Sequence, residues 1–185
     1  MATATSSTVE DVMALPEGSG RCDLIAGEVH EMAPAGGEHS LIAGTFAWVI
    51  GAFASERGLG SILVAEPGFI LRRDPDTMLS PDVAYVATDR MPPADQRVGP
   101  WPMAPDLAVE VISPSERSRL VAAKVTAYLD GGCRLVWIVE PRRRTVTVWT
   151  PDRISRVYRE GDVLDGGEVL PGFTMTVAAV FATMA

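Results

Sequence analysis

The segment Asp106–Ile112, DLAVEVI, constrains this chain more than any other. Side chains alternate between the two faces of a strand. Leu107, Val109 and Val111 therefore fall on one face, and Ala108 and Glu110 on the other. A strand that is apolar on both faces belongs inside a covered sheet, as in α/β proteins. Glu110 is the anomaly in that strand, because a buried carboxylate is costly unless it is paired or bound to a metal. It shares its face with Asp106, Ala108 and Ile112, and small Ala108 leaves room beside it. Glu110 either leans out at the strand's end, pairs with a buried arginine, or holds a cation.

Directly after this strand, Ser113-Pro114-Ser115-Glu116 reads as a capping box, with Ser113 as N-cap and Pro114 as first helical residue. The helix it opens runs to about Asp130 and stops at Gly131-Gly132. Inside it stands Lys124, the single lysine beside 15 arginines. Coding bias that swaps lysine for arginine explains the imbalance, and so does a position where arginine cannot substitute. Glu110 lies about 10 Å up its strand from the cap. Lys124 lies about 15 Å back along the returning helix. An antiparallel helix would put the two at one level, within a lysine's reach. The alternative is a lysine that snorkels along the helix flank.

Asp82 follows Pro81 at the start of a third apolar run, PDVAYVA, where proline is normal at a strand's first residue. Asp82 is a turn residue there, or a functional carboxylate. Two further candidates are Glu28, in the hairpin Arg21–Met32, and His39, beside Glu38 at the start of a helix running to about Arg57. That helix is apolar on most faces and is expected to be largely buried. Trp48, Trp137 and Trp149 fit core positions. Residues 1–6 read as a loose tail, and Thr8 caps a short helix stopped by Pro16. Strands at Ser61–Ala65 and Gly68–Arg72 precede a turn at Asp74–Asp76, and the proline-rich stretch 88–105 is a long loop of the kind that often serves function. CRLVWIVE, the turn Arg142–Arg144 and TVTVWT form a hairpin; short strands near 154–158 and 162–164 and a small terminal helix close the chain. The domain reading is a tail and short helix over 1–20, and one α/β domain over 21–181 built on a single mixed central sheet flanked by helices.

Composition excludes several classes. With 185 residues, 47% of them hydrophobic, the chain can bury a sizeable core and is not disordered. No apolar run reaches the roughly 18 residues of a membrane span, so no membrane association is expected. The N-terminus lacks the pattern of a secretory signal. Two cysteines make neither a disulfide framework nor a zinc site, which points to the cytoplasm. A net charge of -8 argues against coating nucleic acid non-specifically, but not against meeting a phosphodiester through a metal ion. The apolar excess and the sparsely charged TVTVWT hairpin predict a homodimer, whose two-fold axis would present two sites to two strands.

The order of Asp82 in PDVAYV, Glu110 in DLAVEVISPS and Lys124 in the next helix resembles the PD-(D/E)XK restriction-endonuclease-like superfamily. More closely, the chain resembles the Uma-type endonucleases. The stretches DLIAGEVHEM, GGEHSLIAG, SPDVAYV, APDLAVEVISPS, the block from Lys124 through TVTVW, and GDVLDGGEVLPGF carry the likeness in order. The resemblance implies an αβββαβ core with a mixed sheet, here with an added C-terminal β-hairpin region. It implies Mg²⁺ (or Mn²⁺) held by Asp82 and Glu110, DNA as substrate, and Lys124 orienting or activating the attacking water. Apart from the resemblance, Glu28 and His39 stand as accessory candidates on their positions in the chain. The chain departs from the pattern twice: Ile112 occupies the usual lysine position, and Cys22-Asp23 replaces an aromatic–acid pair. The competing expectation is a catalytically degenerate dimeric module that keeps the fold and binds nucleic acid or another partner.

Overall fold

The computed structural model describes residues 6–16, 19–65, 67–113 and 116–182. Tail residues 1–5 and the Pro114-Ser115 step of the expected capping box lie outside the described residues. Helix α1 (Val9–Met13) is capped by Thr8, whose hydroxyl accepts from the Asp11 N–H while Asp11 accepts from the Thr8 N–H. A hairpin of β1 (Arg21–Ile25) and β2 (Glu28–Met32) follows, then the long helix α2 (Gly37–Glu56). Strands β3 (Gly60–Leu63), β4 (Phe69–Arg72), β5 (Thr77–Leu79), β6 (Val83–Ala87) and β7 (Leu107–Val111) lead to helix α3 (Ser118–Asp130). The chain ends with β8 (Leu135–Glu140), β9 (Thr145–Trp149), β10 (Ser155–Tyr158), β11 (Val163–Asp165), β12 (Thr174–Thr176) and helix α4 (Val177–Val180).

The central sheet has six strands in the order β10-β9-β8-β7-β6-β3, and only the β7–β8 pair is parallel. Helix α3 makes the crossover that a parallel pair requires. Setting β4 and β5 aside, α2-β3-β6-β7-α3-β8 is the expected αβββαβ core. A second sheet accompanies this expected mixed central sheet. Strands β4 and β5 leave the central sheet and join the first hairpin in a second, antiparallel sheet ordered β2-β1-β5-β4. Strands β11 and β12 pair as a separate ribbon.

The two faces of β7 divide the core as its alternation dictates. Leu107, Val109 and Val111 pack with Trp137 and Val139 of β8 beneath α2 and the C-terminal residues Phe173, Val177 and Phe181. Ala108 packs on the opposite face with Val136, Ile138 and the α3 residues Val125 and Tyr128. Helix α2 buries a single stripe at every fourth residue, Ile42, Phe46, Ile50 and Ala54. It is not buried on most faces, because only one sheet surface lies against it. Trp48, expected in the core, is 77% exposed on the other side of the helix. Trp137 is fully buried and Trp149 partly so.

Helix α3 opens at Ser118 with Arg117 as N-cap and no side-chain cap bond, later in the chain than the expected capping box. Glu116 does not fold back as a capping residue; its carboxylate stands 3.7 Å from the Lys124 ammonium. A buried cation is the stronger attraction for a carboxylate than a solvated N–H. The 88–105 loop is anchored, since Trp101 stacks edge-on to Phe69 and Arg90 pairs with buried Asp106 at 2.7 Å. In the TVTVW segment β9 is an inner strand between β8 and β10, with Val146 buried and Val148 and Trp149 partly so. Among the described residues no helix is long and apolar enough to cross a membrane.

Candidate active site

Strands β6 and β7 run antiparallel with Val83 opposite Val109 and Ala84 opposite Ala108. One step further, this register sets Asp82 beside Glu110, on the same sheet face. The backbone ladder stops at Val83, and the Asp82 carboxylate continues it: Oδ2 accepts the Val111 N–H at 2.7 Å. The same oxygen lies 3.1 Å from His39 Nε2, at the start of α2. That hydrogen bond, ahead of the opposing effect of burial, raises the histidine's pKa above its ordinary value.

Glu110 is 4% exposed and both of its oxygens are engaged. Tyr128 Oη donates to Oε1 at 2.6 Å, and Lys124 Nζ donates to Oε2 at 2.9 Å. Lys124 and Tyr128 are one helical turn apart on α3, so they reach the same point on the sheet. Burial, the largest influence, pushes the Glu110 carboxyl up to about 7, with the charges of Asp23 and Asp82 adding to it and Lys124 opposing. Lys124 is 2% exposed, neither a snorkelling flank residue nor a surface cation. Burial alone would lower its pKa, yet the carboxylates of Glu110 and Asp23 outweigh that and raise it. In the metal-free protein Lys124 is therefore a cation held between two carboxylates.

The second partner of Lys124 is Asp23 of β1, with Oδ2 at 2.9 Å. Asp23 is 1% exposed, and its Oδ1 accepts the Ser80 N–H at 3.1 Å, two residues before Asp82. Sequence reasoning missed Asp23 and Tyr128. The signal for Asp23 was the same as for Glu110, a carboxylate beside the apolar strand residues Leu24 and Ile25. Tyr128 was legible only as a core residue of the inner helix stripe.

These groups face a cavity of about 840 Å³, whose wall includes His39, Asp82, Glu110, Glu116 and Lys124. Asp82, Glu110, Lys124 and His39 are therefore brought together. Glu28 lines the same cavity but is exposed on β2. No hydrogen bond or ion pair among the described residues joins it to the cluster. Cys22 and Cys133 are free thiols.

The donor set fits a hard divalent cation. Asp23, Asp82, Glu110 and Glu116 gather around Lys124 and a half-buried His39, with Arg21 lining the same cavity, so several carboxylates converge in a largely desolvated place. Among the described residues no three His, Cys, Asp or Glu side chains form a ready metal cage. Magnesium does not need one: it keeps several waters and takes one or two carboxylates, with substrate phosphates completing the shell.

The sequence profile described as "Uma2: Putative restriction endonuclease" matches residues 9–178. A crystal structure from Anabaena variabilis, described as "a putative nuclease belonging to DUF820", shares this fold with a TM-score of 0.85. The two sequences are 20% identical, and the match covers 96% of this chain and 99% of that one. No curated protein matches the chain.

Proposed function

Starting from the fact that the chain belongs to the Uma2 family, we propose that it is a metal-dependent nuclease that hydrolyses DNA phosphodiester bonds. One observation carries the reading: two carboxylates from paired strands, Asp82 and Glu110, share a sheet face, with the Lys124 ammonium 2.9 Å from Glu110. The description of the Anabaena variabilis protein as a nuclease is in keeping with it.

Asp82 and Glu110 would hold the divalent ion. When bound, Mg²⁺ (or Mn²⁺) supplies a Lewis acid that polarises the phosphate and acidifies a bound water. Lys124 contributes a fixed positive charge aimed at the site, suited to stabilising negative charge that builds on the phosphate and to orienting the attacking water. In the metal-free protein Glu110 and Asp23 raise its pKa above the ordinary value. His39, bonded to Asp82, steadies that carboxylate and adds positive charge when protonated. Tyr128 fixes one oxygen of Glu110, so the carboxylate presents a defined face. Arg117 and Arg119, exposed beside the same cavity, are placed to meet flanking phosphates. This local arrangement suits an acidic protein, which engages the phosphodiester at a cation rather than through a basic surface.

The test is cleavage of plasmid, nicked and single-stranded DNA with Mg²⁺ or Mn²⁺, against chelator. The expected result is metal-dependent cleavage by wild type and at least ~10²-fold less by Glu110→Gln, the scale on which metal-site partners act. Cleavage that persists in chelator, or wild type and Glu110→Gln acting alike, overturns the reading.

A further inference from the structure

Resting on the nuclease reading, we propose that Asp23 is a positioning residue: it anchors Lys124 so that Glu110 can turn to a divalent ion. The Lys124 ammonium is shared evenly, 2.9 Å from Glu110 and 2.9 Å from Asp23. A metal that takes Glu110 removes half of that compensation. A buried ammonium cannot be left without a counter-charge. Asp23, 1% exposed, supplies the half that remains.

Asp23 is built for this in a way that Glu116 is not. Glu116 stands farther off, at 3.7 Å, and its side chain is 16% exposed. Asp23 is locked by its second oxygen onto the Ser80 N–H, in the segment that delivers Asp82. One carboxylate thus ties the first hairpin, the crossover helix and the start of β6 to a single point. This gives the second sheet a functional purpose: β1 carries the counter-ion for Lys124, although it lies outside the αβββαβ core.

The consequence is a sign that a packing role does not produce. In Asp23→Asn, Lys124 has lost its alternative partner and competes with the metal for Glu110. Metal affinity then falls, and it returns when the unbalanced cation is also removed. Calorimetric titration with Mn²⁺ of wild type, Asp23→Asn, Lys124→Met and the double variant measures this, with circular dichroism confirming the fold. We expect Asp23→Asn to bind Mn²⁺ at least about tenfold more weakly, the usual loss for an outer partner of a metal ligand. The double variant should bind like Lys124→Met alone. If Asp23→Asn does not fold, Asp23→Glu takes its place, keeping the charge while displacing the anchor. It should bind Mn²⁺ about as wild type does but cleave more slowly at saturating substrate, with KM unchanged. Wild-type affinity in Asp23→Asn, a double variant as weak as Asp23→Asn, or Asp23→Glu losing Mn²⁺ outright overturns the inference alone. Wild type binding no Mn²⁺ at millimolar concentration overturns the nuclease reading and this inference with it.

Discussion

Asp82 accepts the Val111 N–H at 2.7 Å, so the carboxylate that opens β6 also supplies the last rung of the β6–β7 ladder. Fold and site therefore share one side chain. The bond holds Asp82 beside Glu110, where Lys124 arrives from α3 and His39 from the start of α2.

That double duty separates two substitutions. Asp82→Asn keeps an acceptor for the Val111 N–H, whereas Asp82→Ala leaves a buried donor unpaired. An orphaned buried donor costs about 1–3 kcal/mol. Chemical denaturation should find Asp82→Ala destabilised by that amount and Asp82→Asn by less, with metal binding weakened in both. Equal stability of the two variants would show that the rung does not matter.

Removing Lys124 leaves Asp23 and Glu110 facing each other without compensation. Breaking a buried ion pair by deleting one partner costs about 3–5 kcal/mol. Lys124→Met should be destabilised on that scale, and adding Glu110→Gln should recover part of the loss, a coupling that a double-mutant cycle reads directly. Additive losses in that cycle would contradict the shared-cation arrangement. Lys124→Arg should fail to restore the site, since a planar guanidinium does not fit a point charge held between two carboxylates.

Stability of the metal-free protein should depend on pH through Glu110. Its pKa is raised from 4.5 to about 7, chiefly by burial. A group with a raised folded pKa binds its proton more tightly when folded, so its contribution is full below pH 4.5 and is lost as pH rises through 7. His39, raised by its bond to Asp82, acts with the same sign: its contribution is present below its ordinary 6.5 and lost above its raised value. Thermal melts in chelator between about pH 5.5 and 8 should show wild type falling relative to Glu110→Gln. A parallel pH dependence in the two proteins would contradict the raised pKa.

Tyr128→Phe removes the hydroxyl that donates to Glu110 at 2.6 Å and leaves the ring in place. A hydrogen bond to a charged group is worth about 1.5–3 kcal/mol. The variant should lose stability on that scale at pH 8, where Glu110 is ionised, and lose less at acidic pH. A loss that does not change with pH would assign Tyr128 to packing alone.

The site was legible in the sequence where a charge interrupts a strong pattern. Glu110 stood out because the strand around it is apolar on both faces, and Lys124 because the chain has no other lysine. Asp82 and His39 were visible only as candidates: their meaning depends on the β6–β7 register and on where α2 begins, both set by tertiary contacts. Asp23 was hidden because the hairpin around it is only partly apolar and β2 is largely exposed. Its burial comes from packing of a second sheet, whose strand β5 spans three residues and carries little periodic signal. The late start of α3 has the same origin, because a buried lysine draws Glu116 away from the capping role that local spacing gave it.

In the proposed mechanism Asp82 and Glu110 together hold a divalent cation. Crystals soaked in millimolar Mn²⁺ and measured at an anomalous wavelength test it without any need to know the DNA target. The expected result is a single anomalous peak at bonding distance, roughly 2.1 Å, from one oxygen of each carboxylate. Glu110 should have left Lys124, and Lys124 should have stayed on Asp23. Absence of a peak there, with Glu110 still bonded to Lys124 and Tyr128, would contradict the account.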